Sequence, residues 1–350
     1  MTHCIEQMAY VRRSKQDEPW HGLGNALSPQ QPISVWKREA GMDWHIRQAP
    51  VCFMTHDHLM GKKQAADHLG ILKSYPDQKV LYRSDTQEPL SVVSKRYQVV
   101  QPGEILEFYK DLTQYAGYEL ETAGVLKGGR KFWALARTGQ SISIKGKDSV
   151  NGYLLLATSC DGTLSTVATP TAVRVVCNNT LAIALQETLQ DGQNGLKSTA
   201  IRVPHNTRFD GELVKKRLGI AVSHWDEFMY GMRQLAGRKI KDTQAQAYFR
   251  QVLCDNNTPQ SHPVSNKVGR AYVNEERMLG TVNALYQGHG RGAEMTAARG
   301  TAWGLLCAVT EYVDHERRAR NTDNRLDSAW FGQGALIKQK ALDQALQLVA

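Results

Sequence analysis

Residues 118–138 read YELETAGVLKGGRKFWALART, two runs of strand-forming residues on either side of a Lys-Gly-Gly-Arg turn. Runs of this kind bounded by glycine predict an antiparallel hairpin, because Gly supplies the positive φ of a tight turn that other residues resist. SISIKG (141–146) and VNGYLLLATSCDGTLSTVATPTAV (150–173) continue the pattern, the second folding around Asp161–Gly162. A meandering antiparallel sheet is the expectation.

Upstream, KVLYRSDTQEPLSVVSKRYQVV (79–100) alternates apolar and polar residues around a turn at 85–89, which predicts another hairpin with one covered face. PGEILEFYKDLTQYAG (102–117) predicts one helix: Pro102 stands at its start, Gly117 just past its end, and Ile105, Leu106, Tyr109 and Leu112 form the buried stripe. ISVWKREA (33–40) predicts a shorter helix inside an otherwise irregular lead-in of fifty residues punctuated by Gly and Pro. Downstream, TAVRVVCNNTLAIAL (171–185) reads as a strand passing directly into a helix, with Asn178, Asn179 and Thr180 accepting the first-turn N–H groups. Val173, Val175 and Cys177 would share one face of that strand, and Arg174 and Val176 the other. An arginine on the inner face requires a carboxylate or carbonyl network, whereas one on the outer face can meet phosphate beside a helix N-terminus. Both readings stand open. From Gly211 the periodicity is helical, and 255–270 reads as a flexible loop. The fold class is therefore α+β: a sheet-bearing region over 1–210 with packed helices, and a helical region over 211–350 that packs on it or continues the same domain.

With 350 residues, 41% hydrophobic and 22% charged, the chain can build a core without disulfides. Six cysteines without a CxxC pair predict free thiols. No run approaches the roughly 18 to 20 apolar residues of a membrane span, and the polar N-terminus lacks a secretory pattern, so a cytoplasmic location is expected. The net charge of +9 sets up a positive potential that nucleic acids exploit. Because the basic residues are dispersed, any patch must be assembled by folding. The candidates are Lys127, Arg130, Lys131, Arg174, Arg291, Arg299, Arg317, Arg318 and Arg320. Trp330 follows HERRARN closely enough to offer a stacking surface for an unpaired base.

PWHGLG (19–24), DGTLSTVATPTAVRVVCNNTLAIAL (161–185), GTAWGLLCAVTEYVDHERRAR (300–320) and SAWFGQGALIKQKALDQAL (328–346) resemble the phage- and plasmid-like proteins of the domain of unknown function 932 family. The resemblance implies a role in the DNA biology of mobile elements and supplies no catalytic residue.

Other chemistry is weaker. Cys52, His56 and His58 in CFMTHDH could approach one metal ion, but no partner pair such as CxxC or HxxxH occurs. Trp20–Gly24 follows no strand and lacks the lysine of a phosphate loop. GHGRGAEMTAARGTAWG (288–304) could grip phosphate through backbone N–H groups or simply connect helices. Cys177 has no histidine near it in sequence, and Glu119, Glu121, Asp148 and Asp161 are ordinary hairpin acids. The expectation is a non-enzymatic, cofactor-free DNA-binding protein of a mobile element, favouring single strands in annealing, recombination or replication and assembling as a homo-oligomer. The fold-level analogy is to ring-forming phage annealing proteins. The alternatives are a protein-interaction factor in host defence or counter-defence, and a metal-dependent enzyme built on His56 and His58.

Overall fold

The computed structural model describes residues 7–12, 24–55, 70–174, 179–182, 184–188, 194–222, 225–254 and 266–349. The chain opens with β1 (Gln7–Val11), β2 (Asn25–Leu27) and α1 (Ile33–Glu39). A three-stranded sheet follows, formed by β3 (Ile46–Thr55), β4 (Ile71–Arg83) and β5 (Pro89–Ser94). After α2 (Pro102–Glu107) and α3 (Lys110–Tyr115) come the long strands β6 (Glu119–Leu126), β7 (Lys131–Ile144), β8 (Asp148–Ser159) and β9 (Thr166–Arg174). β10 (Asn179–Ala182), the hairpin β11 (Ala184–Thr188) and β12 (Asn194–Ser198), and β13 (Ile201–Val203) complete the strands. The rest is helical: α4 (Gly211–Val222), α5 (Trp225–Gly237), α6 (Asp242–Leu253), α7 (Asn266–Ala284), α8 (Ala302–Glu311), α9 (Thr322–Phe331) and α10 (Gln333–Gln347).

The main sheet has the order β10-β9-β8-β7-β6-β1-β2, with β13 also on β9, and is antiparallel except where β1 meets β2. The predicted meander is its centre. Gly128, Gly129 and Gly162 all adopt positive φ in the two predicted turns. The central strands read as nearly continuous apolar runs because both faces are covered. Phe132, Ala134, Ala136, Leu154 and Leu156 pack with α1, α2 and α4 on one face. Trp133, Leu135, Tyr153 and Leu155 meet Leu326 and Trp330 of α9 on the other. At the far end, Ile144, Val150 and Ala172 join a core built from α5 to α8 and α10.

Several local expectations are corrected. The helix expected after Arg174 is not there: residues 179–182 form β10, which pairs antiparallel with Thr171–Arg174, and 184–188 form β11. Pairing with the exposed edge of β9 outweighs the modest helix preference of an Ala/Leu run that lacks a 3.6-residue period. Asn179 and Thr180 therefore stand in a ladder and cap no helix. Asn178 and Cys177 lie outside the described residues, as do Trp20, His56 and His58. The predicted helix at 102–117 divides at Phe108–Tyr109, where the Tyr109 hydroxyl turns inward to donate to the backbone carbonyls of Ala134 and Leu154, at 3.0 and 2.9 Å. The runs at 131–138 and 141–144 are one strand, β7, with a register irregularity between Arg137 and Ser141. Within the lead-in, Gln7–Val11 forms a buried sheet strand. Of the predicted loop at 255–270, residues 266–270 belong to α7 and the others lie outside the described residues.

Candidate polyanion-binding site

The structure divides the predicted basic residues into two groups. The first surrounds Arg174, which is almost fully buried at the end of β9. Its Nε and Nη2 donate to the two carboxylate oxygens of Asp148 at 2.8 and 2.9 Å, while Nη1 and Nη2 donate to the carbonyls of Arg291 and Gly292. The Trp303 indole N–H donates to the same Asp148 carboxylate at 2.9 Å. The inner-face reading holds: a carboxylate and two carbonyls neutralise the guanidinium, and Arg174 is a core residue. The glycine-rich loop is likewise turned inward. The Arg291 N–H donates to the Glu311 carboxylate at 3.0 and 3.1 Å, so the anion beside this loop is part of the protein. Burial raises the Glu311 pKa, against the opposing effect of that hydrogen bond and the nearby guanidinium groups. The side chains of Arg291 and Arg299 are exposed.

The second group collects around α9. The β6–β7 turn docks against one side of this helix: the Lys127 backbone N–H donates to the Asp323 carboxylate at 3.1 and 3.3 Å. The Lys127 ammonium donates to the Asn324 side-chain oxygen, and Lys131 donates to Asp327 at 2.5 Å. These two lysines thus have protein partners, whereas Arg130 is exposed and uses its Nε to hold the Lys127 carbonyl.

On the other side, α8 runs into a π turn at Tyr312–Glu316, and the chain leaves it in extended form at Arg317. A buried ion pair between Lys338 and Asp314, 2.8 Å long, pins the π turn to α10. The connection to α9 is only four residues long, Arg317 to Arg320, so its three arginines cannot disperse. The Asn321 side chain then caps α9 by accepting the Asn324 N–H at 2.8 Å.

The result is an open cleft of about 250 Å³ lined by Arg317, Arg318, Arg320 and Arg325 together with Asn324 and Ser328, and no acidic residue lines it. Arg317 donates to the Ser328 hydroxyl at 2.8 Å. The side chains of Arg318, Arg320 and Arg325 make no hydrogen bond or ion pair among the described residues. Four cations held around one cleft with a single neutral partner raise the local potential, and a bound polyanion lowers it. Guanidinium forks match phosphate oxygens, and backbone N–H groups of a helix N-terminus favour the same charge.

Arg325 was not among the sequence candidates. Helical spacing could have indicated it: Asn321, Asn324, Arg325 and Ser328 share one face of α9, while Asp323 and Asp327 recur four residues apart on another. Trp330 lies past the cleft, edge-on to Trp133 with ring centroids 4.6 Å apart, and with Phe331 it lines a separate cavity of about 430 Å³.

Among the described residues no group of three or more His, Cys, Asp or Glu side chains is placed to hold a metal ion, and no helix is long and apolar enough to cross a membrane. No curated protein and no solved structure matches the chain. The family described as domain of unknown function (DUF932) matches residues 89–330, a span that holds the central strands β6 to β9, the Arg174 clasp and the arginine cleft up to Trp330. The chain belongs to the domain of unknown function 932 family.

Proposed function

We propose that this protein binds nucleic acid, with single-stranded DNA as the favoured partner, and serves annealing, recombination or replication of mobile-element DNA without catalysing a reaction. One observation carries the reading: four guanidinium groups surround one cleft that no carboxylate lines, and three of them have no protein partner among the described residues. An internal structural role leaves cations neutralised, as the Arg174 clasp does; a binding role leaves them available. The phosphate backbone supplies the affinity, so binding weakens steeply as salt rises.

The test is a fluorescence-anisotropy titration of labelled single- and double-stranded oligonucleotides at low and physiological salt. Binding is expected at low salt, tighter for the single strand. The triple variant Arg318→Ala/Arg320→Ala/Arg325→Ala is expected to flatten the dependence of log affinity on log salt by roughly 0.7 for each single-strand phosphate that is no longer neutralised. Flat traces at low salt overturn the proposal.

A second reading, contact with another polypeptide, is favoured by the two-stranded arm of β3 and β4. Beyond its pairing with β5 at Gln78–Tyr82, β4 pairs among the described residues with β3 alone, and Phe53, Met54, Ile71, Leu72 and Tyr75 are exposed there. Apolar side chains grouped on a ribbon mark a protein contact, and self-association through this arm is the form the homo-oligomer expectation takes. Light scattering of the Leu72→Asp variant against the parent tests it: an unchanged mass sets aside self-association through the arm.

A further inference from the structure

The 430 Å³ cavity lies between the sheet and the last two helices. Leu135 and Leu155 of β7 and β8 and Val167 of β9 form one wall; Trp330, Phe331 and Leu336 form the other. Its polar lining comes from Thr169, Thr171, Arg202, Gln333 and Gln339. Lys338 also contributes, but its ammonium is engaged with Asp314, so the lysine adds an aliphatic stem and no available charge. The site thus offers apolar and aromatic walls with amide, hydroxyl and guanidinium groups beside them. A planar heteroaromatic ring fits that description, with its faces against carbon and its hydrogen-bonding edge toward the polar groups. The Thr171 hydroxyl already donates to the Thr169 carbonyl, so the Arg202 guanidinium and the Gln333 and Gln339 amides are the groups that an acyl chain would leave unanswered. Cavities that hold small ligands run from about 300 to 1,000 Å³, so this one suits a single nucleoside-sized group.

Position along α9 selects among heteroaromatic ligands. Asn324, Arg325 and Ser328 line the arginine cleft, and Ala329, Trp330 and Phe331 line the cavity. Ser328 of the cleft and Phe331 of the cavity are three residues apart, neighbours on one face of the helix with a rise of about 4.5 Å, between one and two stacked nucleotide steps of about 3.4 Å each. We infer that the cavity is a base slot: it receives one unpaired base of the strand whose phosphates occupy the arginine cleft. This rests on the nucleic-acid reading above and adds to it the feature that separates single from double strands, because a paired base cannot enter a slot between a sheet and a helix.

The experiment compares a labelled oligothymidylate with the same oligomer made abasic, by anisotropy, on the parent protein and on Leu336→Trp. Leu336 is exposed at the mouth of the slot, so an indole there fills it without entering the core. Unchanged thermal melting and far-UV circular dichroism verify the fold of the variant. Removing the bases is expected to weaken binding to the parent about tenfold, within the range of a stacking contact. Leu336→Trp is expected to weaken the intact strand by a similar factor and to abolish the difference between the two oligomers. Equal, salt-dependent affinities of the parent for intact and abasic strands overturn the slot and leave the cleft standing. Absence of binding to either strand at low salt overturns both. Protection of the parent against melting by a long-chain fatty acid, with no difference between the oligomers, assigns the slot to an apolar ligand and overturns the inference.

Discussion

Arg174 shows how little a residue's identity says about its task until its neighbours are known. The letters TAVRVV fit a phosphate contact and a core ion pair equally well, and what distinguishes them is Asp148, 26 residues upstream across a strand pair. The pair is buried, bidentate and shared with Trp303, so losing one member strands the other. Asp148→Asn is expected to destabilise the fold by about 3–5 kcal/mol, the usual cost of breaking a buried pair, read as a lowered urea midpoint with unchanged slope. DNA affinity per folded molecule should stay at the parent value, since neither group faces solvent. Asp85 is the exposed counterpart. Two hydrogen bonds from Arg83, 3.0 and 2.8 Å long, hold its carboxyl down to about 2. A depressed carboxylate stabilises the folded state at pH above its unfolded value near 3.9 and loses that contribution as pH falls toward about 2. Asp85→Asn should therefore cost stability at neutral pH, less than about 1 kcal/mol for so exposed a pair, and the gap to the parent should close at the acid end of a pH series of denaturation curves.

At the scale of elements, what was legible depended on whether local pattern and tertiary environment agreed. The β6–β9 meander was readable because glycine turns punctuate runs that suit burial on both faces. The Ala/Leu-rich segment after Arg174 was not, because the open edge of β9, which sequence pattern cannot reveal, decided its state. The arginine cleft was half legible: HERRARN announces charge, but only the register of α9 shows that Arg325 faces the cleft while Asp323 and Asp327 face the β6–β7 turn. Helix α8 carries a constraint that its apolar sequence hides altogether. Gly304 lies in its first turn, fully enclosed, and a Cβ there would stand 2.0 Å from the Ala298 carbonyl oxygen and 3.2 Å from the Tyr286 ring. The nearer atom is backbone and cannot swing aside. Gly304→Ala, a favourable change in an ordinary helix, should here lower stability by at least the 1–3 kcal/mol typical of overpacking, measured as a drop in Tm.

For the whole molecule, the question is how far the two groups of cations act as one field. Helix α8 lies between them. Arg291 is held to Glu311 at its C-terminal end, and Arg317 follows Glu311 by six residues, about 9 Å if that stretch is taken at helical rise; Arg299 lies at the opposite end, past about 15 Å of helix. The Debye length is about 30 Å at 0.01 M salt and about 8 Å at 0.15 M. Charges spaced in this way reinforce one another at low ionic strength and separate as salt is added, whereas guanidinium groups in direct contact with phosphate keep their effect. Single-strand binding should therefore respond to Arg291→Ala and Arg299→Ala at the lower salt, and Arg299→Ala should become silent first as salt rises. The Arg320→Ala/Arg325→Ala variant should stay impaired throughout, by roughly 1.5–3 kcal/mol for each charged hydrogen bond removed. Anisotropy titrations of the three variants across that salt range check the order; equal losses of affinity for all three at 0.15 M would mean that the strand also touches the loop at 288–300, and would extend the interface along α8.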